Sequence, residues 1–389
     1  MRSLVLSVVL VFSASLGAAQ DVLIDTKNQT ITSDMTTVDL HVGGRVQSQP
    51  LPAPLPAGAT SYTHQWPGVY FEANFQGDTI YLKFDDPHNE YRVFVDDLAA
   101  IPLAQPGRAE ISLTGLDEGL HHIRLEKVTE SAALLGTFDG FYLPAGATPL
   151  EPSTRTRQIE FIGDSDMTGY GIRSSSRECT QDQARLLSDA QAAYPALIGK
   201  GMKADYHVTA ISGRGLIRNY AGGKERALGS VYRSVLPDEA QVADEQPISE
   251  DPWKPQIIFI ALGENDFLTE LLPDEKWATN DALVDDYLLT FKTLITDLRK
   301  NNPDAALLVL QIEALILSDD QRTRLTDGIK NAMALVQGDG TRPVNYVSLA
   351  DPESESSACH YHPSVTDQQN RAKWLEDYFN TTPGLWPEN

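Results

Sequence analysis

The chain changes its hydrophobic rhythm once. Between residues 20 and 145, short runs alternate apolar and polar positions, with turn residues between them: Gly68-Val69-Tyr70-Phe71-Glu72-Ala73-Asn74-Phe75, Thr79-Ile80-Tyr81-Leu82-Lys83-Phe84, Tyr91-Arg92-Val93-Phe94-Val95, Gly119 to Lys127, and Gly140-Phe141-Tyr142-Leu143. Several short strands at this spacing predict an all-β sandwich. The Pro-rich stretch from Gln49 to Pro56 reads as a loop, because proline is excluded from central strands. Residues 144–157 are rich in Pro, Thr and Ser and read as a linker, with 146–157 as its bounds between the domains. From Gln158 the pattern changes: the apolar run Ile159 to Ile162 leads into Ser165, and Val208 to Ile211, Ile257 to Leu262 and Ala306 to Leu310 are short and continuous. Such runs suit strands buried on both faces. Helical spacing fills the gaps, as in Asp281 to Asn301 and Arg322 to Val336. Alternating strand and helix predicts an α/β domain over 158–380 with a mostly parallel sheet between helix layers. Two domains suit 389 residues.

Residues 1–19 form a separate unit, with Arg2, an apolar core from Leu4 to Phe12, and small residues at Gly17-Ala18-Ala19. The unit is expected to be a secretory signal peptide, giving an extracellular or periplasmic protein. Its apolar core is too short to span a bilayer, and no later run is long enough. The net charge of −23 argues against nucleic acid and anionic membranes as partners. Two cysteines, Cys179 and Cys359, are expected to be bridged in an exported protein, the alternative being two unrelated buried thiols. No Cys/His spacing suggests a metal site, and no cofactor is implied. Oligomeric state is left open.

Four short motifs carry candidate chemistry. Gly163-Asp164-Ser165, Ile211-Ser212-Gly213-Arg214-Gly215 and Leu262-Gly263-Glu264-Asn265-Asp266 each follow an apolar strand run, and His360-Tyr361-His362-Pro363 lies near the C-terminus. Ligands in open α/β sheets bind beyond the carboxyl ends of the strands, so the first three converge on one edge. Acyl transfer needs a serine, a base to take its proton, and donors for the oxyanion. Ser165 is the candidate nucleophile. The backbone N–H groups of Ser165 and Gly213 and the Asn265 amide are candidate oxyanion donors, with Gly215 as the alternative to Gly213. On chemistry alone His360 and His362 are not separable as base. Asp164 and Asp266 read as organisers of their turns.

Serine, glycine, asparagine and histidine in this order resemble the SGNH hydrolases. With Trp66-Pro67-Gly68-Val69-Tyr70-Phe71-Glu72, Tyr91 to Asp96 and Ala193-Tyr194-Pro195-Ala196-Leu197, the chain resembles carbohydrate esterase family two over nearly its whole mature length. The resemblance implies an N-terminal jelly-roll sandwich, a C-terminal SGNH domain, and removal of acetyl groups from plant polysaccharides such as xylan and other hemicelluloses. It also implies Ser165 as nucleophile, Gly213 and Asn265 in the oxyanion hole, and His362 as general base. Two departures stand out. Glu264 replaces the threonine of the family's Gly-Thr-Asn-Asp; a carboxylate aimed at the oxyanion would oppose catalysis, so Glu264 is expected to point away, toward Arg or Lys. The aspartate that SGNH enzymes commonly place three residues before the histidine is Cys359. The expectation is a Ser–His dyad oriented by a backbone carbonyl, with Asp351, Glu353 or Glu355 as alternatives.

The rival readings are an SGNH esterase acting on other short-chain esters, and a non-catalytic glycan-binding protein with Trp66, Tyr70 and Tyr91 as a platform or, equally, as core. His41, His64, His88, His121 and His122 read as solvated strand or loop residues, and His207 as structural. Trp253 reads as packing. Phe267 and Tyr194 could line an acyl pocket or belong to the core. Asn28-Gln29-Thr30 fits a glycosylation acceptor.

Overall fold

A computed structural model describes residues 23–25, 30–130, 134–237, 253–313, 315–338, 342–349 and 354–387. The leader read over residues 1–19 and the acceptor at Asn28 lie outside them.

The alternating segments fold into two antiparallel sheets. One runs, in spatial order, Leu23–Asp25, Gly107–Thr114, Thr79–Asp86, Gly136–Leu143, Thr60–His64 and Val46–Pro50, with Thr36–Thr37 also on Gly136–Leu143. The other runs Thr148–Leu150, Tyr70–Gln76, Leu120–Lys127, Glu90–Val95 and Ile101–Ala104, with His41–Gly43 also on Tyr70–Gln76. The period of two puts Ile80, Leu82 and Phe84 on the inner face against Phe71, Val93, Ile123 and Phe138.

Two sequence readings change here. The stretch read as a linker contains the strand Thr148–Leu150, which completes the second sheet at its edge. Pro149 is tolerated there because an edge strand leaves one row of its backbone groups unpaired. The Pro-rich loop likewise begins inside the edge strand Val46–Pro50.

The second domain is a five-stranded sheet, parallel throughout, in the order Ala204–Ala210, Arg157–Gly163, Ile257–Ala261, Ala306–Leu310, Val344–Val347. Its central strands Ile257–Ala261 and Ala306–Leu310 are apolar because both faces are covered, whereas Arg157–Gly163 and Ala204–Ala210 carry the polar residues Glu160, Asp205 and His207 where the sandwich packs against them. Ile258, Ile260, Leu307 and Val309 pack under the helices Asn280–Asn301 and Asp319–Val336. Ile257, Phe259, Ala306 and Leu308 pack under Tyr194–Gly201 and Val365–Thr381. Ser318 and Ser364 each start a helix with a reciprocal capping box.

The outer face of the second sandwich sheet lies against this domain, so its polar positions are buried. Trp66 enters one hydrolase core and Tyr70 the other, both essentially inaccessible. Trp66 donates from Nε1 to Ser234 O at 3.0 Å, and the Tyr70 hydroxyl donates to Asp205 at 2.7 Å. Trp66, Tyr70 and Tyr91 are therefore core residues rather than a glycan platform. The sandwich histidines also differ from expectation. His64 is buried against Tyr91, and His41 pairs with Asp205 across the domains at 2.8 Å. His121 pairs with Asp96 at 2.7 Å. His207 stacks on Trp253 with ring centroids 3.5 Å apart.

Candidate active site

The parallel sheet was entered first at Arg157–Gly163, then at Ala204–Ala210 on one side and Ile257–Ala261 on the other. The winding reverses here, the chain crossing from one side of the first strand to the other, which leaves a crevice at the carboxyl ends of the first and third strands. Ser165 follows the first strand and Asn265 the third, so both sit at this switch point.

Ser165 opens a single helical turn, Ser165–Thr168, capped by Asp164. Its N–H belongs to the first turn, where no intrahelical acceptor exists. Gly163 makes the sharp entry possible: a Cβ there would lie 2.5 Å from Met167 Sδ and 2.8 Å from Ala261 O. Gly213 has a left-handed φ of +76°, and a Cβ there would meet only Tyr220 Cβ, in ordinary contact at 3.9 Å. Gly215 has a different reason to be glycine, since a Cβ would strike Asp266 Oδ2 and Arg218 O at 2.2 Å. Asp266 accepts from the backbone N–H groups of Leu216, Ile217 and Arg218 at 2.8, 2.8 and 2.9 Å, which fixes this loop to the Asn265 turn. Asn265 is buried; its amide donates to Asp164 Oδ2 at 3.0 Å and to Arg214 O at 3.3 Å.

The histidine loop is tied to the segment after the serine by the disulfide Cys179–Cys359, with Cα atoms 5.4 Å apart. Arg177 reinforces it by donating to Ser356 O at 3.0 Å and Glu355 O at 2.6 Å. The two histidines then separate clearly. His360, at φ +53°, has both ring nitrogens engaged: Nε2 with Cys179 O at 2.7 Å and Nδ1 with the Tyr170 hydroxyl at 3.1 Å. His362 engages Nδ1 with Cys359 O at 3.0 Å, and its ring lies 4.6 Å from that of Tyr170. Among the described residues, Ser165 Oγ and His362 Nε2 form no hydrogen bond with each other; such bonds are often long before substrate binds. Glu355 is exposed, and Asp351 and Glu353 lie outside the described residues.

Carboxylates crowd the serine. Burial and the charges of Glu264 and Asp166 push Asp164 well above the usual carboxylate range. Glu264 is exposed as a residue, yet its carboxyl is largely desolvated by surrounding protein atoms. That desolvation and the charges of Asp166 and Glu313 raise it to about 7. An Arg or Lys is the expected neighbour; Arg371 is close enough to oppose this shift but pairs with Asp166 at 2.6 Å. Gln368, on the same helix as Arg371, donates to Asp166 O at 2.9 Å. Phe267 and Tyr194 are core residues, not pocket lining. Sequence reasoning missed Glu130, which reaches Ser212 from the sandwich. It also missed the exposed rings of Tyr220 and Tyr361, beside Gly213 and His362. Their adjacency to the motifs was the available signal.

A β-sandwich joined to a parallel sheet with serine, glycine and asparagine at its strand ends defines a two-domain hydrolase of the SGNH type. The profile of the carbohydrate esterase 2 N-terminal family matches residues 56–152. An acetylxylan esterase / glucomannan deacetylase of Cellvibrio japonicus is 38% identical over 348 residues, spanning 89% of this chain and 92% of that protein. A solved carbohydrate esterase, whose active site is described as displaying divergent catalytic and non-catalytic binding functions, superposes with a TM-score of 0.78. It is 36% identical and covers 90% of this chain and 100% of its own. A family two esterase from Clostridium thermocellum, solved with cellohexaose, shares the fold at a TM-score of 0.70 and 23% identity, over 90% of this chain and 100% of that one. The chain belongs to carbohydrate esterase family two.

Proposed function

We propose that this chain is an exported serine esterase that removes O-acetyl groups from neutral plant polysaccharides, xylan or glucomannan. The observation that carries the reading is the delivery of Ser165, Gly213 and Asn265 by three adjacent parallel strands to one crevice, beside a histidine whose Nδ1 is held by a backbone carbonyl. Ser165 Oγ attacks the acetyl carbonyl carbon while His362 Nε2 takes its proton. Cys359 O accepts from Nδ1–H and so stabilises the imidazolium, the task a carboxylate performs in a triad. The oxyanion accepts from the N–H groups of Ser165 and Gly213 and from the Asn265 amide. The Asn265 hydrogen that now meets Arg214 O at 3.3 Å is the one to redirect. The intermediate collapses, the sugar oxygen leaves with the proton from Nε2, and an acetyl-serine remains. Water deprotonated by His362 then releases acetate.

Two features favour a neutral glycan. Tyr220 and Tyr361, 52% and 67% exposed, flank Gly213 and His362 as ring faces for sugars. The carboxylates of Asp166, Glu264 and Glu313 disfavour acidic substituents close to the serine. The relative's name pairs xylan with glucomannan, and both are natural test substrates. The test is acetate release from acetylated xylan and acetylated glucomannan by wild type and Ser165→Ala. Release by wild type that vanishes in the variant is expected; a variant that keeps most of the activity refutes the nucleophile. Glycan binding in the same cleft is the second reading. It is favoured by the two exposed tyrosines and by the binding function described for the 36% identical structure.

A further inference from the structure

One carboxylate near the crevice comes from the other domain. Strand Leu120–Lys127 runs along the domain boundary and continues to Glu130. The segment is fastened on both sides. Ala190 N donates to Val128 O at 2.8 Å, Gln191 Nε2 donates to Lys127 O at 3.2 Å, and Lys127 Nζ donates to the carbonyls of Gln65 and Trp66 at 2.9 and 2.8 Å. Glu130 is thus presented on rigid backbone. Its Oε1 accepts from the Ser212 N–H at 2.6 Å, and its Oε2 accepts from the Ser212 hydroxyl at 2.5 Å. Ser212 Oγ is in turn 2.8 Å from Thr168 Oγ1, on the last residue of the helical turn that begins with Ser165.

We propose that Glu130 is a positioning residue for the oxyanion hole, supplied by the sandwich to the hydrolase domain. Both bonds fall on the residue immediately before Gly213: one holds the Ile211–Ser212 peptide through its N–H and the other holds the Ser212 side chain, so Ser212 is gripped at two points. The Ser212–Gly213 peptide carries the Gly213 N–H. Gly213 takes its left-handed φ without steric cost, and the turn is closed beyond it by Arg214 N–H on Ile211 O at 3.2 Å and Tyr220 N–H on Gly213 O at 2.8 Å, so Ser212 is the end of the turn that Glu130 sets. The Ser212–Thr168 contact ties the same residue to the helical turn that begins with Ser165. Glu130 touches neither substrate nor reacting atoms; it acts through Gly213.

The inference rests on the serine esterase reading, and the experiment separates the two. Wild type, Ser165→Ala, Glu130→Ala, Glu130→Gln and Glu130→Asp are assayed in the full chain with 4-nitrophenyl acetate and acetylated glucomannan, alongside thermal melting. Loss of activity in Ser165→Ala establishes the nucleophile first; retention there sinks the esterase reading itself. Given that loss, Glu130→Ala is expected to lower kcat about 30-fold with KM within about twofold, part of the cost of removing one oxyanion donor outright. Glu130→Gln keeps one oxygen for the Ser212 N–H and is expected to restore kcat to within about threefold of wild type. Glu130→Asp keeps the charge but shortens the arm, and is expected to lose about tenfold in kcat. It decides the matter if Glu130→Ala fails to fold. Wild-type kcat in Glu130→Asp, or losses in kcat that track the melting temperature with no rescue by glutamine, would overturn the proposal while leaving Ser165 in place.

Discussion

His360 and His362 stand two residues apart in a shared loop, and the destinations of their ring nitrogens distinguish them. A histidine with both nitrogens bonded to Cys179 O and Tyr170 has no atom left for a serine proton, whereas one bonded only through Nδ1 presents Nε2. His362→Ala is therefore expected to lower kcat about 10³-fold, the scale of a lost general base. His360→Asn, chosen because asparagine tolerates the left-handed backbone, should cost about tenfold or less, matching one or two hydrogen bonds. Steady-state kinetics on both variants check the assignment. Glu355→Gln tests the dyad. With Cys359 O as the partner of Nδ1, this exposed side chain has no part in orienting the base. Its kcat should stay within about twofold of wild type, the usual range for a surface change. A fall of a hundredfold would instead make Glu355 the third member.

At the scale of elements, the serine, glycine and asparagine turns were legible because each follows a short, mainly apolar run, and such runs end on one edge of a parallel sheet. What lay beyond reading was contact between distant elements. Glu130 follows a strand with nothing in its local pattern to mark it, and its partner Ser212 is 82 residues away. The strand Thr148–Leu150 was hidden because an edge strand accepts the proline that otherwise signals a linker. Trp66 and Tyr70 could be read equally as a platform or as core, because one domain's pattern cannot show that the other covers it. The two cysteines, by contrast, were readable as a pair, and their bridge now has a defined task. Cys359 supplies the carbonyl that orients His362, so the bond fixes that ring through its own residue. Replacing both cysteines with serine should destabilise the protein by about 2–4 kcal/mol, as for other long closed loops. It should also lower kcat more than it raises KM. Melting curves and kinetics of the double variant, compared with dithiothreitol-treated wild type, would show it; an unchanged kcat would mean the loop holds its shape unaided.

The whole molecule behaves as one unit because the domain boundary is built from buried charge as well as hydrophobic plugs. Glu72 of the sandwich is buried among Arg124, Arg155 and the adjoining Asp205 network. Arg45 of the sandwich reaches Glu160 of the hydrolase strand at 2.6 Å, both shielded from solvent. Breaking a buried pair by losing one charge is costly, since the other stays stranded. Burial alone would raise the Glu72 carboxyl, but Arg155 and Arg124 more than offset it and hold it at about 2. A folded pKa below the ordinary 4.5 means that the unfolded chain binds the proton more readily. The stabilisation is complete above about 4.5 and is lost as the pH falls toward 2; the displacement corresponds to about 3 kcal/mol. Glu72→Gln should therefore melt well below wild type at pH 7, and the difference should shrink steadily on acidification through this window. If the gap between the two melting curves is the same at pH 3 as at pH 7, the ionised Glu72 contributes nothing to the lock. The same logic forbids a free-standing hydrolase domain: without Trp66 and Tyr70 both of its cores lose a buried ring, each worth about 3–5 kcal/mol on truncation to alanine. A chain beginning at residue 146 is expected to be insoluble or unfolded by circular dichroism, and a folded, active fragment would show that the sandwich is an accessory rather than half of the enzyme.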